Sequence, residues 1–336
     1  MQQLEVKHEL LPREGFIKIL AAANTHSSGM GRTIHVAILD VDIPARGLYI
    51  LRGLYSSQFE AILRKGIAQL NQEAPDDPVQ LSVSAYDVLG GVYPPLELLQ
   101  RTGRGDAGAQ ANGRLIDAIW ITGAVAGSHE VVEHPWILDL EKYIRHVYAM
   151  FPAVRLLGSC FGHQVIAQAL LAEQGARVEK SLMGLEAGLC KIQLDPTFTS
   201  HFPILLQLPQ GMMRMQMMHT DGVFFQGQKS GAHVENSKYP NDVVRLPDYW
   251  INLGRTEQCP VQGLCLPGRV LTVQGHFELD ALALDTTCRE FAPSLGWFED
   301  DLQTVLNRVG HGPEYQDDSI LMAHIAILFI LGYDGR

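Results

Sequence analysis

Apolar residues along this chain fall into two alternating rhythms. Residues 34–39 form a short, nearly continuous apolar run, the pattern of a buried strand. Residues 57–70 then place Phe59, Ile62, Leu63, Ile67 and Leu70 at helical spacing. Residues 79–88 alternate apolar and polar positions and predict a second strand, and 115–122 predict a third. A helix follows over 135–150, with Pro135 near its start, where a missing N–H does no harm. Residues 153–157 predict a fourth strand and 165–171 the helix after it. A further β-like run begins at Val270, and helices are predicted over 279–290, 295–309 and 318–331. This alternation predicts an α/β fold with a mostly parallel central sheet flanked by helices on both faces. Active sites on such sheets gather at the carboxyl ends of the strands.

The chain of 336 residues can bury a large core, and one set of α/β signals points to one enlarged domain. That domain is expected over 33–310, with insertions near 100–114 and 224–267. An extension over 1–32 precedes it, with one short helix near 16–23, and a second extension over 311–336 carries an apolar helix. Residues 102–113 are rich in Gly, Ala and Arg without apolar periodicity and predict a mobile surface loop. Gly, Pro, Asn and Asp are scattered through 224–267, which predicts a lid or a substrate-facing insertion. The apolar helix near the end either closes the core or offers a partner interface.

Composition narrows the class. Charged residues are 19% and hydrophobic ones 46%, as in globular proteins. Net charge is −11 and no long Lys/Arg run is present, so neither a nucleic-acid nor an anionic-membrane partner is expected. The five cysteines form no Cys-x-x-Cys pair, which suggests neither a disulfide framework nor a zinc knuckle. The first residues lack a secretory apolar core, and the longest apolar segment, 320–331, falls short of a membrane span. A cytoplasmic protein is the expectation.

The chemistry concentrates at Gly158-Ser159-Cys160-Phe161-Gly162-His163-Gln164, between the fourth strand and its helix. Glycines two residues before and after Cys160 permit unusual backbone angles and close backbone approach. Such a turn lifts the sulfur above the sheet edge and aims a helix N-terminus at it, which favours thiolate. This is a nucleophile elbow carrying cysteine. A thiolate nucleophile needs a base, and the base an orienting group. His276 and Glu278 follow the β-like run at Val270 and, on extended backbone, share one face. Glu278 can then hold one imidazole nitrogen while the other faces Cys160. His163 is expected at the surface or behind the site. The methionines at 212, 213, 215, 217 and 218 suggest core filling or a plastic pocket wall rather than a metal site. Cys190, Cys259, Cys265 and Cys288 are expected to be structural.

Gly-x-Cys-x-Gly-x-Gln followed downstream by Gln274-Gly275-His276-Phe277-Glu278 resembles the class I glutamine amidotransferases. Further segments resemble the family in order: residues 117–124 its glycine loop, 184–189 the strand after the elbow helix, and 218–223 its His-x-Asp segment beside the substrate pocket. The resemblance spans about residues 33–290 and is strongest to stand-alone members, including fungal amidotransferase-like proteins and plant γ-glutamyl peptidases. The chain departs from the family at Phe277, where proline usually stands, and in a glycine loop reduced to Gly123-Ala124.

The resemblance implies a flavodoxin-like fold with a Cys160, His276 and Glu278 triad. It implies an oxyanion hole from the N–H of Phe161 and an N–H of the Gly123-Ala124 loop, and a substrate pocket that includes Gln164, His219 and Asp221. The implied activity is attack on the γ-carbonyl of glutamine or a γ-glutamyl amide through a thioester, with no metal or organic cofactor. The substrate is a small γ-glutamyl molecule. If ammonia leaves, a separate ammonia-accepting enzyme is needed, because the chain carries no Walker A signature and no Ser-Gly-Gly-x-Asp-Ser loop. If a cysteinyl amine leaves, the protein is a γ-glutamyl peptidase trimming glutathione conjugates. A non-catalytic binding protein on the same scaffold is the reading from another class.

Overall fold

The computed structural model describes residues 32–101, 115–225, 244–310 and 315–334. The helix predicted near 16–23, the loop predicted over 102–113 and the part of the 224–267 insertion between 226 and 243 lie outside the described residues.

In chain order the strands are β1 (Arg32–Asp40), β2 (Val79–Asp87), β3 (Ala118–Ile121), β4 (Arg155–Ser159), β5 (Arg177–Lys180) and β6 (Glu186–Leu194). They continue as β7 (Met212–His219), β8 (Asp221–Phe224), β9 (Ile251–Asn252), β10 (Gly254–Arg255), β11 (Leu264–Leu266) and β12 (Val270–Val273). The main sheet has the order β2-β1-β3-β4-β12-β11-β9. The strands from β2 to β12 run parallel, while β11 and β9 are antiparallel additions at one edge. The fold is thus α/β with a mostly parallel sheet, as the alternation predicts. Part of the expected insertion belongs to this sheet: β9 and β11 continue it and β10 joins a second one. Strands of two or three residues are too short to show a period in sequence.

The helices are α1 (Arg46–Arg52), α2 (Tyr55–Glu73), α3 (Trp136–Met150), α4 (Phe161–Leu171), α5 (Pro196–His201), α6 (Ala281–Phe291), α7 (Glu299–Val309) and α8 (Ser319–Leu331). Strand β1 explains the layering. Val36 and Ile38 join the core under α2 and α8, whereas Ala37 and Leu39 join the core under α3 and α4. Successive side chains point to opposite faces, and both faces are covered, so the run is apolar throughout.

Helix α8 is apolar on all sides because it is enclosed on all sides. It packs on α2 at Gly66, where an added Cβ would lie 3.1 Å from Ile327 and 3.2 Å from Ala323. His324 faces the Gly66 carbonyl at 3.2 Å, and burial pulls its pKa down to about 4. The helix closes the core. Among the described residues, no helix is long and apolar enough to cross a membrane.

Two smaller sheets flank the carboxyl ends of the parallel strands. One is antiparallel, of order β10-β6-β7, and places Glu186 opposite His219. The other pairs β5 with β8. Met213, Met215 and Met217 of β7 are fully buried and fill the core. Met215 also packs against Gly275, where a Cβ would lie 2.5 Å from its sulfur.

Candidate active site

Cys160 stands between β4 and α4 with φ 51° and ψ −111°, a left-handed conformation on a residue that carries a Cβ. Strain of this kind costs on the order of 1–3 kcal/mol and persists only where the surroundings fix it. Here the Cys160 N–H donates to Val273 at 2.9 Å and the Gly162 N–H to Thr122 at 3.1 Å. The flanking glycines serve close approach and not their own backbone angles, since neither has positive φ. A Cβ on Gly158 would lie 2.5 Å from the Gly162 carbonyl, and one on Gly162 would lie 2.2 Å from the Ile121 oxygen. The elbow helix therefore sits directly on the ends of β3 and β4.

His276 and Glu278 follow β12 as predicted. His276 donates from Nδ1 to Glu278 Oε1 at 2.7 Å, and its ring stands beside Cys160, whose Sγ faces the Met218 carbonyl at 3.9 Å. Burial pulls the imidazole pKa down, but the Glu278 carboxylate and then Cys160 push it back, leaving it well above 6.5. Phe277 turns the other way. Its ring packs against Phe59 and Trp120, with centroids 5.4 and 5.3 Å away. The aromatic that replaces the family's proline thus pins the segment into the core. The His276 N–H also donates to Gln216 of β7 at 2.8 Å, tying the segment to the second sheet.

Gly123 and Ala124 leave the end of β3 beside these groups. A Cβ on Gly123 would lie 3.1 Å from His276 and 3.5 Å from the Cys160 Cβ. The next N–H, that of Val125, is held by Asp42 at 2.8 Å. Phe161 is the first residue of α4, so its N–H has no intrahelical acceptor. Both expected oxyanion donors thus flank Cys160.

A cleft opens over the sulfur. Gln164, His219 and Asp221 line one side, so the structure brings the predicted pocket residues together with the Cys-His-Glu cluster. Their side chains are largely committed to one another. Gln164 donates to the Asp221 carbonyl at 3.1 Å and to Gln274 at 3.2 Å. His219 bridges the Asp221 carbonyl and Glu186, at 2.9 and 3.0 Å. The Asp221 carboxylate faces His129 at 3.4 Å. Of the two positions expected for His163, at the surface or behind the site, the structure shows the second. It is fully buried against Thr272 at 2.8 Å, and burial lowers its pKa to about 3.

The cleft is also lined by Tyr55, Leu185, Met218, Leu279, Phe291 and Leu295, with Thr287 and Ser294 among them. Met218 belongs to the methionine cluster noted in the sequence, whereas the others come from stretches near 55, 185 and 279–295 that the fold brings together. Desolvation pushes the thiols of Cys190, Cys259 and Cys288 up to about 12.

No protein-family model matches the chain. A putative glutamine amidotransferase-like protein of Schizosaccharomyces pombe is 24% identical over 299 residues, covering 88% of this chain and 98% of its own. A putative glutamine amidotransferase of Saccharomyces cerevisiae is 30% identical over 166 residues, 48% of this chain and 53% of its own length. In fold, the chain is similar to a glutamine amidotransferase of Thermotoga maritima, with a TM-score of 0.53 at 16% identity. That match covers 89% of this chain and 96% of the other. A glutamine amidotransferase of Methylobacillus flagellatus gives 0.50 at 15% identity, covering 90% of this chain and 96% of the other.

Proposed function

We propose that this class I glutamine amidotransferase-like chain opens the side-chain amide of glutamine or of a γ-glutamyl compound through a thioester on Cys160. The observation that carries the reading is Cys160 at a strained elbow with the buried, hydrogen-bonded His276–Glu278 pair beside it.

In this reading the Cys160 sulfur attacks the γ-carbonyl carbon, and the carbonyl oxygen gains the negative charge. The N–H groups of Phe161 and of the Gly123-Ala124 loop receive that charge. Removing one such donor typically costs about 3 kcal/mol of barrier. As the C–N bond breaks, His276 gives its proton to the departing amine, leaving a γ-glutamyl thioester. His276 then takes a proton from water, which attacks the thioester carbon. Glutamate leaves and the thiol is restored. Glu278 holds the ring in place through both halves. If the amine is ammonia, a separate enzyme would consume it.

The apolar residues that line the cleft favour a second reading of the leaving group. Ammonia needs no apolar wall, whereas the amine part of a γ-glutamyl conjugate can lie against Leu279, Phe291 and Leu295. The test is kcat/KM of the protein alone for glutamine, glutathione and an S-substituted glutathione. Preference for the substituted conjugate supports the peptidase reading. Slow turnover of glutamine that an added synthetase accelerates supports the amidotransferase reading. If none of the three is hydrolysed and no thioester is trapped on Cys160, the chain is a binding protein on this scaffold.

A further inference from the structure

At the polar wall of the cleft and behind it, six polar residues close a hydrogen-bonded ring. Glu186 Oε2 accepts from His219 Nε2 at 3.0 Å and from Gln262 Nε2 at 2.7 Å. His219 Nδ1 faces the Asp221 carbonyl at 2.9 Å, and that carbonyl also accepts from Gln164 at 3.1 Å. Gln164 donates onward to the Gln274 side chain at 3.2 Å, and the Gln274 N–H returns to the Gln262 carbonyl at 2.9 Å. All six residues are buried.

The ring joins parts that the sequence keeps far apart. Gln164 lies four residues after Cys160 and Gln274 two before His276, while Asp221 and His219 form the polar wall of the cleft. Two other members, His219 and Gln262, meet at the Glu186 side chain. Burial pushes its carboxyl pKa up, but bonds from His219, Thr256 and Gln262 outweigh this and hold it below its ordinary value. His219 is held at both ring nitrogens, by the Asp221 carbonyl and by Glu186, so the imidazole cannot rotate without losing both contacts. A buried, charge-assisted contact of this kind holds its geometry strongly, although Gln262 Oε1 and Gln274 Nε2 find no partner among the described residues.

We propose that Glu186 is a positioning residue for the site: by holding His219 and Gln262 it sets the cleft wall at 219–221 and the orientation of Gln164 against the bound γ-glutamyl group. This rests on the hydrolytic reading above. Glu186 does not line the cleft, so its effect is exerted through His219 and the ring.

The test is Glu186→Gln, which keeps the shape but turns an amide N–H₂ toward groups that also donate. Two labels of Cys160 are compared. The chloroketone analogue of glutamine must occupy the pocket, whereas iodoacetamide needs only the thiol. The expected result is a fall of about tenfold or more in the chloroketone rate, the size of one charge-assisted bond lost. The iodoacetamide rate should stay within about twofold, and KM should rise more than kcat falls. Should Glu186→Gln fail to fold, Gln262→Leu breaks the same ring away from the cleft and should show the same split. Equal loss of both labels would make Glu186 a support for the elbow and overturn the proposal, as would an unchanged chloroketone rate. The labels do not depend on turnover: wild-type protein that takes chloroketone at Cys160 but hydrolyses no donor would sink the hydrolytic reading while leaving the labelling ratio to judge Glu186.

Discussion

The Phe277 ring lies 5.3 Å from the Trp120 ring, while its two neighbours in sequence, His276 and Glu278, meet each other at 2.7 Å. An extended segment sends alternate side chains to opposite sides. One residue therefore anchors the segment in the core and the two beside it carry the proposed proton chemistry.

Phe277→Ala should accordingly damage stability and activity together. Removing a fully buried aromatic costs about 3–5 kcal/mol, depending on how far the cavity collapses. Phe277→Leu should lose less of both. Urea denaturation and kcat/KM measured on the same samples check this. Full stability in Phe277→Ala would show that the contacts with Phe59 and Trp120 do not hold the segment.

Two alanine substitutions should separate fold from chemistry. In Gly162→Ala the new methyl meets the backbone oxygen of Ile121 at 2.2 Å, and the elbow cannot form without moving a strand. Folded protein is not expected. In Gly123→Ala the methyl meets the His276 ring at 3.1 Å, a contact that a small rotation relieves. That variant should fold, with activity lower by on the order of 10²-fold from the displaced imidazole. Circular dichroism and kcat decide both, and a well-folded Gly162→Ala protein would contradict the packing of the elbow.

Charge on His276 should shape the alkaline side of the pH profile. The native imidazole is held well above 6.5, so its cationic form stabilises the fold fully below about 6.5. That contribution is lost as pH rises through the raised value. The proton needed by the leaving amine disappears over the same window. Glu278→Gln removes the first of the influences that push the value up, so the alkaline limb of kcat/KM should move to lower pH. An unmoved limb would assign it to another group.

Cys160 should be the thiol that reacts first. Cys190, Cys259 and Cys288 are pushed up to about 12 by burial and stay protonated near neutrality. Mass spectrometry after brief alkylation should place the adduct on Cys160, and Cys160→Ala should lose turnover by ~10⁴-fold or more while remaining folded. Early labelling of Cys190 would redirect the search for the nucleophile.

The elbow and the His276–Glu278 pair were legible because each is contiguous in sequence and tied to a strand end. The layers were legible because β1 and α2 are long enough to show their periods. The ring around Glu186 was not. Glu186 meets His219 only through the antiparallel register of β6 and β7, and Gln262 reaches it from a segment with no periodicity. The apolar wall was hidden for a related reason: Leu279 reads as an ordinary helix residue, and Phe291 as one just past a helix, until the fold brings both beside the cleft. Sequence spacing could show that Cys160 needs glycine neighbours, but not that the positive φ falls on the cysteine itself.

The hydrogen bond from His276 to Gln216 also bears on how the molecule assembles itself. It joins the parallel sheet to the β6–β7 sheet at the very residue proposed to move protons. Contacts between such distant segments form slowly, because the chain must close long loops first. Helices and local pairs can appear in a refolding chain while His276 still lacks its place. Regained turnover would then mark the last docking event, well after the far-ultraviolet signal has recovered.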